Sequence, residues 1–203
     1  MNNLEYLNEI SKSNRPVKTS TSGLNPKTVL KVVIGGVIAF ALLAIISIAT
    51  NTGPKAVDYA KQINLRTYNL SETLRTYNPS IKNSNLRAIS ISLSSVLTDA
   101  SNKFNTYFSF NDIDPSPSND VSESEAAMSE ELNLTLNNAK LNGILDRIYL
   151  NQIQLQVALL SSLIAQALSR NNNDINLLEI LQQYESSLNL ILDSFQKYSN
   201  PDA

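Results

Sequence analysis

The residues of this 203-residue chain that most resemble a chemical site form an acidic stretch between positions 112 and 123. Counted from Asp112, its oxygen-bearing side chains occupy the ligand positions of a calcium-binding EF-hand loop. They are Asp112, Asp114, Ser116, Asp120 and Glu123. The sixth position of such a loop turns sharply and requires glycine, but here it is Pro117, which cannot adopt a positive φ. We therefore interpret the stretch as a solvated acidic connector and predict no metal-binding residue.

The composition excludes most other chemistry, because the chain contains no histidine, cysteine or tryptophan. A disulfide, a thiolate nucleophile, an imidazole base and an ordinary zinc site are therefore impossible. The sequence also lacks a glycine-rich phosphate loop and a basic stripe for nucleic acid. We expect no catalytic residue, no cofactor and no nucleic-acid partner, and we interpret the protein as a non-enzyme.

Tyrosine and glutamine side chains offer the alternative of a ligand pocket between helices. The tyrosines at helical spacing are Tyr59, Tyr68, Tyr77, Tyr107, Tyr149, Tyr184 and Tyr198. Core and rim packing is the more common role of such residues. Gln152 falls on a predicted apolar seam, where a polar residue usually sets the register between helices. A sensor-like bundle that binds a small ligand is kept as the alternative function.

An uncharged apolar segment from Val32 to Ala49 predicts where the protein lies. Eighteen helical residues span about 27 Å, close to the ~30 Å hydrocarbon core of a bilayer. We predict a transmembrane helix over residues 28–52 that contacts the lipid bilayer through 32–49. Ser47-Ile48-Ala49 also fits the end of a cleaved signal peptide, but the apolar segment is longer than is usual for one. We favour a retained anchor.

Charge predicts the orientation of this segment. Residues 1–31 carry five cationic side chains against two carboxylates, whereas residues 32–203 carry eleven against sixteen. Because the cationic flank of a span stays in the cytoplasm, the N-terminus is predicted to be cytoplasmic. Residues 1–27 are then a flexible cytoplasmic tail, and residues 53–203 form a domain outside the cell membrane.

Residues 53–203 repeat apolar positions at alternating intervals of four and three, which is typical of packed helices. The first seam is Ala56, Ala60, Ile63, Thr67, Leu70, Leu74 and Tyr77. The second is Leu86, Ile89, Leu93, Val96 and Ala100, and the last is Leu177, Leu181, Tyr184, Leu188, Ile191, Phe195 and Tyr198. Asn78 and Asn173 are predicted to cap the helices that follow them. A repeated Leu-Arg-Thr-Tyr-Asn motif at 65–69 and 74–78 is half a turn out of phase, so its copies should face opposite sides.

The region between these seams is ambiguous. Ser122 and Glu125 match a capping box that would start a third helix, and that helix could run to Arg170. It would be about 73 Å long, against about 35 Å and about 43 Å for the two helices before it, so we predict a break near 137–143. Leu155 and Leu159 then lie on the inner seam of the piece Lys140–Arg170. Its uncharged stretch also suggests a second span, but its many amides favour a bundle helix.

The predicted fold is all-α: an N-terminal single transmembrane helix followed by an up-and-down bundle of about four helices. Its expected core anchors are Leu70, Leu74, Leu93, Val96, Leu155, Leu159, Leu181, Leu188 and Ile191. The predicted function is an extracytoplasmic interaction or scaffold module, such as a subunit of an envelope or surface complex. Its partner is either an unidentified protein or a second copy, since the seams could also pair between chains.

Overall fold

Five α-helices and one 3₁₀ turn make up the part of the chain that the computed structural model describes, residues 54–170 and 173–199. Within these residues there is no strand, so the predicted all-α class is confirmed. The predictions for residues 1–53, including the transmembrane helix, the cytoplasmic tail and the cleavage motif at 47–49, lie outside the described residues. The elements are α1 (Ala56–Tyr77), the 3₁₀ turn (Asn78–Ser80), α2 (Ser84–Phe110), α3 (Asn119–Leu141), α4 (Leu145–Leu168) and α5 (Ile175–Ser199).

Four of the helices form a ring in which α1 contacts α2 and α4, and α5 contacts the same two helices. The fifth helix, α3, packs outside this ring against α1 and α4. The expectation of about four helices is therefore corrected to a four-helix ring with one flanking helix. The third predicted helix breaks into two pieces of 23 and 24 residues, each as long as a bundle helix.

Hydrogen bonds near the ends of the helices establish their directions. Arg170 meets Tyr59 at one end of the α1–α4 pair and Tyr149 meets Asn78 at the other, so these helices are antiparallel. Contacts of α1 with α3 run in the same sense along both, so α3 is parallel to α1. We call the end where α1 begins the base. The opposite end, which holds the links at 78–83 and 142–144, is the apex.

The buried residues confirm the predicted seams of α1 and α5 and correct those of α2 and α4. All seven predicted seam residues of α1 are buried, as are the first six of α5. In α2 the buried positions include Ser90 and Leu97, whereas Val96 is only half-buried. The seam of α4 was placed on the wrong face, because Leu155 and Leu159 are half-buried. Its inner positions are Leu145, Tyr149, Ile153, Val157, Leu160, Leu163, Ile164 and Ala167.

The face of α4 was hard to predict because apolar residues surround much of the helix. It is 24 residues long, its most apolar 18-residue window has a mean hydropathy of 1.3, and it is the one helix among those described that could cross a membrane by length and composition. In the structure α4 packs against α1, α3 and α5. This packing agrees with the interpretation of α4 as a bundle helix.

Short polar residues define the helix ends, though not always the predicted ones. The amide oxygen of Asn83, rather than that of Asn78, caps α2 by accepting from two backbone N–H groups at 3.0 Å. Asp174, rather than Asn173, accepts from the backbone N–H of Leu177 at 3.1 Å. The break after α3 is confirmed, because Gly143 has a φ of +70°. The backbone N–H of Ile144 then donates back to the carbonyl of Ala139 at 3.0 Å, which closes the turn.

Candidate functional site

The buried tyrosines use their hydroxyl groups inside the protein, which removes the side chains that a ligand pocket between the helices would need. Those of Tyr77, Tyr107, Tyr149 and Tyr184 lie 2.7–2.9 Å from polar partners on other elements, and that of Tyr59 accepts from Arg170 at 3.1 Å. Burial raises the pKa of Tyr149 and of Tyr184, so both hydroxyls stay protonated. We therefore read these groups as fixing the register of the helices.

One buried polar cluster joins three elements at the apex. The Ser90 hydroxyl of α2 is fully buried and hydrogen-bonded both to the Asn78 side chain and to the Tyr149 hydroxyl. Tyr149 in turn donates to the same Asn78 oxygen at 2.8 Å. A serine at this point could be a nucleophile only with a base beside it, and its two neighbours are an amide and a protonated phenol. The cluster locks α2 and α4 to the link between α1 and α2.

A buried ion pair that was not predicted from the sequence holds α3 against α1. The Glu125 carboxylate is 2% exposed and accepts two bonds from the Arg66 guanidinium, at 2.8 and 2.6 Å. Gln62 donates a third bond at 2.7 Å. The predicted capping box is thus wrong, because α3 begins earlier, at Asn119, and Glu125 points inward. The signal was present, since Glu125 keeps heptad spacing with the buried Leu132.

The acidic connector does not gather its side chains around one point. Asp112 and Asp114 lie in the loop at 111–118, whereas Asp120 and Glu123 lie on α3. Within residues 54–170 and 173–199, no three acidic side chains are placed to hold a metal ion together. The Asp114 carboxylate instead accepts from the backbone N–H of Ser116 at 2.9 Å, and this bond lowers the pKa of Asp114.

The largest surface cavity described is an open groove of about 740 Å³ between α1, α2, α3 and the loop at 111–118. We call it the polar groove. Its lining is mainly amide and hydroxyl side chains, with Glu130 as its one charged residue. Tyr68 stands in it with 58% of its surface exposed, whereas Tyr77, its counterpart in the repeated motif, is 5% exposed. The predicted opposite facing of the two copies is confirmed.

The floor of the polar groove is held by bonds between its own side chains. Asn64 of α1 donates to Asn105 of α2 at 3.1 Å, and Ser101 donates to Asn64 at 3.3 Å. Pro115 and Pro117 of the connecting loop form part of the opposite wall. Such bonds and prolines reduce the ordering that binding would require, so the groove is pre-organised.

Comparison with known proteins finds no family model, no curated protein and no solved structure that matches the chain. The function must therefore be argued from the geometry and from the predicted anchor. The described residues form a packed interior in which the hydroxyls of Tyr149 and Tyr184 are hydrogen-bonded, and a pre-organised groove on the surface.

Proposed function

We propose that the protein is a single-pass membrane protein that displays a helical bundle outside the cytoplasm and acts by binding another protein. The apolar segment 32–49 and the cationic flank before it support the membrane placement. The polar groove is the observation that carries the binding role, because three helices and a loop converge on it without a catalytic group. The protein then serves as an interaction or scaffold subunit of an envelope or surface complex.

The chemistry of the polar groove suits an extended segment of a partner. Each asparagine offers donors and an acceptor, which is what a peptide backbone needs from its surroundings. The exposed ring of Tyr68 provides an apolar anchor with a polar tip, a residue type enriched in binding hot spots. Because the groove is open to the surface, an extended chain can reach it from outside.

The placement is tested by labelling single cysteines in intact cells, which is clean because the natural chain has none. We expect Ser186→Cys on the exposed side of α5 to react with a membrane-impermeant maleimide, and Ser20→Cys to react only after lysis. Protection of residue 186 in intact cells, with labelling after lysis, would contradict the proposed orientation. Recovery of the full chain in the soluble fraction would contradict the anchor.

The binding role is tested by photocrosslinking from single-cysteine variants. A photoreactive group on Ser116→Cys, in the wall of the polar groove, should give discrete adducts in native membranes. The same group on Ser186→Cys, an exposed position away from the groove, should give no discrete adducts. Adding Tyr68→Ser should reduce the groove adducts several-fold while leaving helicity unchanged. Equal adducts from positions 116 and 186, or indifference to Tyr68→Ser, would refute the groove as the binding site.

A further inference from the structure

The two ends of the bundle carry opposite charge. Around the apex the exposed cationic side chains are Lys82, Arg87, Lys140, Arg147 and Lys197. The carboxylates near them are Asp146 and, one turn before Lys197, Asp193, and Arg75 nearby is bonded to Glu72. At the base the exposed acidic side chains are Asp58, Asp112, Asp114, Asp120 and Glu123, against the exposed cation Lys55. Since residues 32–203 carry more carboxylates than cations, the cations of the apex are a local concentration.

Three of these cations line one hollow at the apex. Lys82, Lys140 and Arg147 surround a space of about 520 Å³ together with Gly143 and Ile144. The hollow therefore brings together the α1–α2 link, the end of α3 and the start of α4.

The carboxylate in this hollow is already engaged. Asp146 accepts from the backbone N–H groups of Lys82 and Asn83, at 3.0 and 2.8 Å. It thereby stabilises the start of α2, whose unsatisfied N–H groups favour a negative charge. Among the described residues Asp146 forms no ion pair with Lys82, Lys140 or Arg147, so these cations stay available to an anion from outside.

Apolar surface accompanies the charge. Leu141 is 77% exposed and Ile144 is 42% exposed, and both lie within the last turn of α3 and the link that follows it. Protein interfaces combine an apolar centre with a charged rim in this way. A sugar-phosphate polymer or another purely ionic chain would use the cations but would leave these two side chains in water.

We propose that the apex binds an acidic surface of a partner protein, which places leucine-sized side chains against Leu141 and Ile144 and carboxylates against the surrounding cations. This inference rests on the proposed interaction function and adds a second contact surface to it. The described chain enters the bundle at the base, where α1 begins at Ala56. Helices of 22–27 residues place the apex about 33–40 Å from that end of the bundle.

The test uses the purified full chain in phosphatidylcholine nanodiscs and a fluorescent peptide of alternating glutamate and leucine as the probe. Lys140→Glu with Arg147→Glu should weaken peptide binding about tenfold or more, because opposite charges become like charges. Lys55→Glu with Lys61→Glu at the base makes the same change in net charge and should alter the affinity less than about twofold. Leu141→Ser should weaken binding without changing its salt dependence. Circular dichroism checks that each variant keeps its helicity.

Four results would overturn the proposal. Equal losses in the apex and base variants would show that only net charge matters. Polyglutamate or inorganic polyphosphate binding as tightly as the mixed peptide, with no effect of Leu141→Ser, would show a general anion surface, and preference for phosphatidylglycerol vesicles would show a lipid site. Salt-sensitive self-association that the apex variant abolishes would make the acidic base of a second copy the occupant. Protection of Ser186→Cys in intact cells refutes the proposed function alone, since the peptide assay does not depend on orientation.

Discussion

Replacing Glu125 by glutamine tests the most unusual contact in the core. The carboxylate is 2% exposed, and the Arg66 side chain that it binds is 12% exposed. Glutamine keeps the size and shape of the side chain but removes its charge. The Arg66 guanidinium is then left in a poorly hydrated place with no counter-ion, although the glutamine oxygen can still accept one of its bonds.

The expected loss follows from the burial of the pair. Removing one partner of a fully buried ion pair typically costs about 3–5 kcal/mol. Because water reaches part of Arg66 and one hydrogen bond survives, we expect the free energy of unfolding to fall by about 2–3 kcal/mol. The α3 helix should suffer first, since this pair and a few apolar residues join it to α1.

The assay is denaturant unfolding of the full chain in a mild detergent, followed by far-UV circular dichroism. Glu123→Gln is the matched control, because Glu123 is an exposed carboxylate on the same helix and its loss should cost less than about 0.5 kcal/mol. A double variant, Arg66→Met with Glu125→Leu, should recover most of the lost stability, because well-packed apolar side chains can replace a buried pair.

Two outcomes would refute this reasoning. If Glu125→Gln were as stable as Glu123→Gln, the ion pair would contribute nothing to holding α3. If the double variant were no more stable than the single one, the loss would come from side-chain shape instead of the stranded charge of Arg66.

Other features give predictions that the same unfolding assay can check. Burial raises the pKa of Tyr149 and of Tyr184 above the ordinary value near 10, so above that pH the unfolded chain releases these protons before the folded one does. The contribution of these tyrosines to stability should therefore be constant below about pH 9 and fall as the pH rises past 10, and Tyr184→Phe should flatten this fall; an unchanged slope would contradict the assignment. Gly143→Ala should cost about 1–2 kcal/mol because its φ is +70°, even though nothing lies within 4 Å of an added Cβ; a neutral effect would show that the turn relaxes. Leu188→Asp should abolish cooperative unfolding, since Leu188 is fully buried, whereas Leu159→Asp at a half-buried position should leave a folded protein; equal damage would contradict the corrected face of α4.

The sequence predicts α1 and α5 well because each helix is apolar on one side only. The seam from Ala56 to Tyr77 is buried throughout, and so is the seam from Leu177 to Phe195. In α4 the same rule selected Leu155 and Leu159, since apolar residues occupy more than one face and periodicity alone does not choose between them. The neighbouring helices decide the inner face, and their positions are a property of the tertiary fold.

The candidate sites depend more strongly on tertiary structure. The polar groove exists because α3 packs against α1 and α4, outside the ring, and no local sequence pattern encodes that position. Glu125 resembled a capping residue, although its heptad spacing with Leu132 indicated an inward position. The opposite charge of the two ends could be predicted from the sequence. In an up-and-down bundle alternate links share an end, so the cations at 82–87 and 140–147 had to meet at the apex.

The flanking position of α3 also explains how the chain can form its ring. The α2 helix ends at the base and α4 begins at the apex, so the connection between them must travel the full height of the bundle. At 23 residues α3 covers about 35 Å, which matches that height. The helix therefore acts as a rigid spacer between two helical hairpins. It places the hairpin α4–α5, whose link lies at the base, beside the hairpin α1–α2, whose link lies at the apex. The need to span the bundle does not restrict the surface residues of α3. It fixes the length of α3, which must match the height of the helices beside it.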